Sequence, residues 1–205
     1  MLAIVVQTFI AAPAEEVWAQ LHARADIVLD ALPVTAWPSE GREEQAPLHF
    51  AVPFPVGQVQ VTLHDVGGGV RLDLRHDGWP ETAAAETMVQ GHFAGWLQGL
   101  AALGHFIETG QDARSVAPGE RYFISGEVPA SADAIYKVLR DHAAVTEQLE
   151  NRMLKWKQPG GGEVVVILRQ TPRGTHVALA EYGVAGRDAS QRWPQLFEQL
   201  TKQLG

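Results

Sequence analysis

The chain carries the same series of segments twice, and this internal repeat constrains its fold more than any other feature. The stretch FIAAPAEEVWAQLH (residues 9–22) resembles EVPASADAIYKVLRD (residues 127–141), which begins 118 positions later. GVRLDLRHDG (69–78) resembles GTHVALAEYG (174–183) at a spacing of 105 positions. Because the matches recur in the same order, chance is a poor explanation and the sequence predicts a duplicated module.

Each half ends on a helical pattern with a tryptophan, Trp96 in GWLQGLAAL and Trp193 in RWPQLFEQL. We expect one module at residues 1–110 and a weaker copy at residues 118–205. The polar stretch TGQDARSVAPGE (109–120) joins them, and its glycine, proline and charged residues are typical of a linker. A chain of 205 residues is long enough for two small domains.

The same order of elements is predicted in both halves: a strand, a helix, a meander of strands and a long closing helix. Alternating side chains predict opening strands at Leu2–Ile10 and Tyr122–Val128, and Ser131 is the expected N-cap of the second opening helix. Apolar residues recur every three or four positions in the first closing helix, as in a stripe that lies on a sheet. They are Val89, Phe93, Trp96, Leu100, Leu103 and Ile107.

The composition argues against several classes of function. The net charge of −8 disfavours binding to the phosphate backbone of nucleic acids and to anionic lipid. The chain has no cysteine, which excludes disulfides, thiolate metal sites and a cysteine nucleophile. No apolar run approaches the roughly 18 residues of a membrane-spanning helix. We therefore expect a cytoplasmic protein that binds neither nucleic acid nor membrane.

The sequence contains no recognisable metal-binding or catalytic motif. Its eight histidines show neither HExxH nor His-x-His spacing, and no acidic cluster accompanies them. The glycine run at 67–69 is typical of a hairpin turn and is not followed by the helix of a phosphate loop. No serine lies in a Gly-x-Ser-x-Gly motif. We expect no catalytic residue, no metal site and no cofactor.

The chain resembles the START-like, or SRPBCC, superfamily. FIAAPAEEVWAQL (9–21) is similar to the opening of that superfamily. VRLDLRHDGW (70–79), followed by GHFAGWLQGLAALGHFIETG (91–110), is similar to the closing strand and helix of its branch of Hsp90-ATPase-activator homologues. In that branch the helix carries a Gly-Trp pair followed by leucines, which here is Gly95–Trp96. The first half is the closer match and the second is a degenerate copy.

The resemblance implies an α+β helix-grip fold, in which an antiparallel sheet wraps on a long C-terminal helix, and here this fold is expected twice. In the superfamily the cavity between sheet and helix often holds a small apolar molecule. Each half of this chain is shorter than a typical member and leaves room for fewer strands. The grip is therefore expected to be less complete, and the cavity small or absent.

Six residues are candidate ligand contacts in the first module. His76 shares the apolar face of its strand with Leu72 and Leu74, since alternate residues of a strand point to the same side. A titratable group there can bind the polar end of a ligand or act as an acid or base. The alternative is a strand-end side chain that reaches solvent or a loop carbonyl. The full set is Leu72, Leu74, His76, His92, Phe93 and Trp96.

Two further patterns concern packing. Gly91, Gly95 and Gly99 recur every four residues on the first closing helix, although each costs about 1 kcal/mol relative to alanine. We expect close packing of protein along this face, with a bound ligand as the alternative. The strand EVVVILR adds Val165 and Ile167 to its inward residues and is apolar on both sides. Such a strand is usually covered on both sides, and we expect the other module or a partner subunit to cover it.

These features predict a non-enzymatic binding protein whose first module holds a small hydrophobic ligand between the sheet and the long helix, while the second module is mainly structural. One alternative is a protein-interaction module without a cavity, in which a protein partner or a second copy docks on the surface. The other is an enzyme of the polyketide cyclase or dehydratase kind. For that reaction, His76 with His92 is the polar pair that the sequence offers.

Overall fold

The chain divides into two compact units, Met1–Asp112 and Ala113–Gly205. The predicted modules at 1–110 and 118–205 fall within these units. Part of the predicted junction, residues 116–120, lies outside the described residues. The computed structural model describes residues 2–115, 121–142, 145–149, 152–158, 162–182 and 189–204.

The first unit is an antiparallel sheet with one long helix and two short ones. Its five strands lie in the order β1-β5-β4-β3-β2, and consecutive members of this order are antiparallel. The long helix α3 packs against β1 and α2. The elements are β1 (Leu2–Ile10), α1 (Ala14–Ala23), α2 (Ala25–Val28), β2 (Glu43–Gln45), β3 (His49–Pro53), β4 (Gln58–Asp65), β5 (Val70–Trp79) and α3 (Ala83–Thr109).

The second unit repeats this order of strands. Its sheet runs β6-β10-β9-β8-β7, so that each strand takes the place of its counterpart in the first unit. The duplication and the α+β class are therefore confirmed. No helix in the described part of the chain is long and apolar enough to cross a membrane. The elements are β6 (Arg121–Val128), α4 (Ala132–His142), β7 (Val145–Leu149), β8 (Met153–Lys157), β9 (Glu163–Thr171), β10 (Gly174–Tyr182) and α5 (Ala189–Leu204).

Side chains set the ends of two helices. The hydroxyl of Thr82 accepts from the amide of Ala85 at 3.1 Å, which satisfies an N–H at the start of α3. That helix ends at Gly110, whose φ of 74° lies in the left-handed region. In the second unit Ser131 accepts from the amide of Ala134 at 3.2 Å, so its predicted capping role is confirmed.

The two cores follow the predicted patterns. The stripe of α3 is buried from Val89 to Leu103, and only its last residue, Ile107, is partly exposed. In the second unit Val165 and Ile167 of β9 are buried as fully as the inward residues Val164, Val166 and Leu168, so the strand is buried on both sides. What covers that side stays a prediction.

The glycines of α3 admit the backbone that follows α1. A Cβ added to Gly99 would lie 1.9 Å from the carbonyl oxygen of Val28, at the end of α2. A Cβ at Gly95 would lie 3.2 Å from the carbonyl oxygen of Ala31. The sequence predicted close packing of protein along the glycine face of α3. This prediction is confirmed at Gly95 and Gly99. Gly91 differs, because a Cβ there would meet no described atom within 4 Å.

We expect Gly99→Ala to destabilise the protein by about 2 kcal/mol or more, because the added methyl group must push α2 away from α3. Gly91→Ala is the matched control on the same helix. It should stabilise the protein by about 0.5–1 kcal/mol, since alanine favours the helix and nothing obstructs its methyl group. Urea denaturation of both variants tests this, and equal effects would contradict the packing described for α2.

Candidate functional site

An aromatic cluster fills the space between the sheet and the N-terminal half of α3. It joins β5, α3, the β3–β4 turn and the irregular segment that precedes β2. Neighbouring rings in it have centroids 4.7–6.0 Å apart. We define this aromatic cluster as Trp37, Phe54, His76, Trp79, His92 and Trp96.

His76 lies at the centre of the cluster and is fully buried. Its Nε2–H donates to the carbonyl oxygen of Val56 at 2.6 Å, which assigns the neutral tautomer with a free lone pair on Nδ1. That Nδ1 accepts from the indole N–H of Trp96 at 3.2 Å. Both ring nitrogens therefore bond groups of the protein itself. His76 reaches a loop carbonyl, as the alternative interpretation of the sequence had it.

Two glycines fix the carbonyl that His76 bonds. Gly57, in the β3–β4 turn, has a φ of 69°, and Gly78, in β5, has a φ of 97°. A Cβ on Gly57 would lie 1.8 Å from the carbonyl oxygen of Asp77. The turn is thus pressed against the end of β5, and only glycine fits this contact without strain. The Val56 carbonyl is consequently held over His76.

Burial lowers the pKa of His76 below its ordinary value, since the cationic form of the ring would lose its hydration. The bond to Val56 acts in the opposite direction and raises the pKa. Smaller contributions come from His92, which lowers the pKa, and from Asp77, which raises it. His76 is therefore an uncharged, fixed part of the core.

Trp79 and His92 form the end of the cluster nearest the start of α3. Their ring centroids are 4.7 Å apart, and Trp79 also contacts His76 at 4.9 Å. Trp79 is 1% exposed, and its indole Nε1 has no hydrogen-bond partner among the described residues. His92 is partly exposed, and its Nδ1–H donates to the carbonyl oxygen of Met88 at 3.0 Å.

Trp37 stacks on Trp96. Its ring is parallel to that of Trp96 within 8°, with centroids 6.0 Å apart. Its indole N–H donates to the carbonyl oxygen of Leu21 at 2.8 Å. Trp37 comes from residues 29–42, which contain neither helix nor strand. A planar bicyclic ring is thus held against Trp96 by an irregular segment.

The structure brings His76, His92 and Trp96 together, as the sequence predicts. Leu72, Leu74 and Phe93 lie in the same core, and all of the six except His92 are fully buried. Their role in ligand binding stays a prediction.

Sequence reasoning missed Trp37, Phe54 and Trp79 as members of the cluster. Trp79 does not follow the alternation of Leu72, Leu74 and His76, because the pairing of β5 with β1 shifts by one residue before Trp79. Gly78 is the signal of this bulge, since a glycine inside a strand pattern often marks one. Trp37 lies in a segment without periodicity, where no sequence pattern places it.

Comparisons with known proteins find several solved structures with low sequence identity to this chain. DynU16, a protein of the dynemicin biosynthetic locus, is 16% identical over 98% of this chain and 95% of its own, with a TM-score of 0.43. The di-domain ARO/CYC BexL from the BE-7585A biosynthetic pathway is 12% identical over 99% and 95%, with a TM-score of 0.39. The Aha1 dimer protein from Colwellia psychrerythraea is 14% identical over 54% of this chain and 99% of its own, with a TM-score of 0.42.

Both units have an α+β fold with the same strand order. No protein-family model matches the chain, and no curated protein does.

The second unit repeats the central hydrogen bond with a different acceptor. Its Glu181, aligned with His76 in the sequence, accepts from the indole N–H of Trp193 at 2.5 Å. Arg192 binds both carboxylate oxygens of Glu181, at 2.7 and 2.6 Å. The carboxylate is 2% exposed and is paired and bonded within its own unit.

The described residues contain no group of three or more histidine, aspartate or glutamate side chains that would hold a metal ion. A surface pocket of about 320 Å³ lies in the first unit, between the start of α1 and the β4–β5 turn. None of the six candidate ligand contacts lines it.

We expect the free energy of unfolding to fall as the pH is lowered from about 7.5 to 5.5. The unfolded chain takes up a proton on His76 near pH 6.5, whereas burial lowers the pKa of this residue in the folded protein, so acid favours unfolding. His76→Gln cannot titrate and should reduce this pH dependence, as urea denaturation at a series of pH values would show.

His64→Gln is the matched control, because His64 lies on the adjacent strand with its side chain 41% exposed. His22 acts with the same sign as His76, since burial lowers its pKa too, and some dependence will remain in the variant. Full retention of the pH dependence in His76→Gln would contradict the assignment.

Proposed function

We propose that the first START-like unit binds a small, largely apolar, planar molecule between its sheet and α3, and that it does so without catalysing a reaction. The ligand would lie against Trp96, with Phe93, Leu72 and Leu74 behind it. His76 would contact it through its ring, and His92 would lie at its polar end. The observation that carries this proposal is Trp37, whose indole lies parallel to Trp96 in that space.

The irregular segment that carries Trp37 supports the displacement of this side chain by a ligand. A ring held by an irregular segment is released at lower cost than one on a strand or helix, because fewer backbone hydrogen bonds must break. A flat apolar molecule that takes its place regains the stacking contact, worth about 0.5–1.5 kcal/mol beyond the buried area. We infer that residues 29–42 move aside when the ligand enters.

Binding without catalysis is supported by the state of His76. A cyclase or dehydratase reaction that relies on two side chains needs an acid and a base that reach the substrate. Both nitrogens of His76 are engaged by Val56 and Trp96. His92 then has no second catalytic group to act with. A binding role therefore fits the geometry better than a cyclase or dehydratase reaction.

The second unit is proposed to be mainly structural. The position of His76 is taken there by Glu181, which Arg192 and Trp193 bind directly. An apolar ligand placed next to this carboxylate would have to displace or bury a charged pair, which is costly in a dry site.

A second candidate function is a protein-interaction module without a ligand. It is favoured by the burial of five of the six predicted contacts, His92 being the exception. In this case a protein partner or a second copy of the chain would bind the outer surface. The titration described next distinguishes the two candidate functions.

The test is a titration of the full chain with N-phenyl-1-naphthylamine, whose fluorescence rises in apolar sites. We expect one saturable site per chain. Trp96→Phe should weaken binding about fivefold to tenfold, because stacking area is lost. Trp193→Phe is the matched control, since it removes the corresponding buried indole from the second unit, and it should leave the affinity unchanged.

Native mass spectrometry of the purified protein complements this titration, and a co-purifying small molecule would supply the ligand class directly. If the wild-type protein shows no saturable probe site, the ligand proposal is wrong and the interaction module is favoured. Weakening by Trp193→Phe instead of Trp96→Phe would move the site to the second unit.

A further inference from the structure

Trp79 presents a hydrogen-bond donor that the first unit leaves unused. Its indole is 1% exposed, and Nε1 finds no acceptor in the described part of the chain. Buried polar groups are nearly always bonded, and an indole N–H is usually paired when it is buried. The other two buried indoles at this level of the core, Trp37 and Trp96, both follow that rule.

His92 presents an acceptor next to this donor. Its Nδ1–H is committed to the carbonyl oxygen of Met88, so the neutral ring carries its lone pair on Nε2. That atom has no partner within the described residues. The rings of His92 and Trp79 are in contact, with centroids 4.7 Å apart, so one small ligand group can meet both.

His76 cannot serve either of these atoms. It contacts both rings, at 4.9 Å from Trp79 and 5.9 Å from His92, but its nitrogens bond Val56 and Trp96. The Trp79 N–H and Nε2 of His92 therefore have no common partner inside the cluster. Together they offer one donor and one acceptor to a ligand group that can both accept and donate.

The same end of the cluster is open to solvent. Gly91 and His92 follow Met88 by three and four residues, so both lie one helical turn from it on the same side of α3. Met88 is 50% exposed, and the space above Gly91 holds no described atom within 4 Å. One turn later the face closes, where Leu32 packs over Gly95. A ligand can thus approach Trp79 past His92.

We propose that Trp79 and His92 form a subsite for a hydroxyl group, so that the ligand of the first unit is a flat apolar molecule with a phenolic or similar hydroxyl. The Trp79 N–H donates a hydrogen bond to the hydroxyl oxygen, and the hydroxyl donates a hydrogen bond to Nε2 of His92. A carbonyl or ether would satisfy Trp79 alone, and an ammonium would satisfy His92 alone. This inference rests on the proposed function.

The test compares three probes that differ only in the polar group: naphthalene, 2-methoxynaphthalene and 2-naphthol. Each is titrated against the full chain at neutral pH, and the readout is the ratio of affinities. We expect 2-naphthol to bind the wild-type protein about fivefold to tenfold more tightly than 2-methoxynaphthalene, since a neutral hydrogen bond of ordinary strength gives a factor of this size.

Variants assign the preference to the two residues. Trp79→Phe and His92→Phe keep a ring at each position and each remove one of the two hydrogen bonds, so each should lower the ratio of affinities of 2-naphthol to naphthalene. His92→Phe should also bring the ratio of 2-naphthol to 2-methoxynaphthalene close to one. His92→Gln retains an acceptor and should preserve most of the preference. Trp156→Phe, which removes a buried indole from the second unit, is the control and should leave the ratio unchanged.

The outcomes are distinguishable. If naphthalene binds the wild-type protein and 2-naphthol binds no better than 2-methoxynaphthalene, the hydroxyl subsite is wrong while the proposed function stands. The Trp79 N–H would then be directed at an aromatic ring face. If none of the three probes binds, the proposed function fails and the subsite with it. The wild-type ratio decides even where a variant does not fold.

Discussion

The hydrogen bond between the indole of Trp96 and Nδ1 of His76 joins the closing helix of the first unit to its sheet, and the site is arranged around it. It is fully buried, so breaking it would leave two polar groups without partners in a dry core. It also fixes the tautomer of His76, because Nδ1 can accept only when the proton is on Nε2. That proton is then directed to Val56, which ties the β3–β4 turn to the same centre.

This arrangement makes His76 a fixed part of the core, while Trp79 and His92 each keep a polar atom that no described residue bonds. His76 is neutral and fixed by two partners, so the middle of the cluster is part of the core. Trp37 covers one side with a ring from an irregular segment. Trp79 and His92 carry one donor and one acceptor that no described residue bonds, beside a solvent-exposed face of α3.

Much of the fold could be predicted from the sequence because repeats and periodicity report directly on packing. The alternation of Leu72, Leu74 and His76 placed the histidine inward, and the spacing of the α3 glycines indicated close protein contact. The rest depends on backbone geometry that no periodic pattern encodes. The bulge at Gly78 turns Trp79 inward, and the carbonyl of Val56 binds His76 whatever side chain residue 56 carries.

The two units show what the duplication changed at the shared position. Both keep a buried tryptophan N–H bonded to an acceptor on the closing strand, but the acceptor is a neutral imidazole in the first unit and the carboxylate of Glu181 in the second. A buried carboxylate needs a counter-ion, which Arg192 supplies from the adjacent helix position. The second unit is therefore closed around a charge pair. The neutral acceptor of the first unit needs no counter-ion, and this difference supports the proposal that an apolar ligand binds in the first unit.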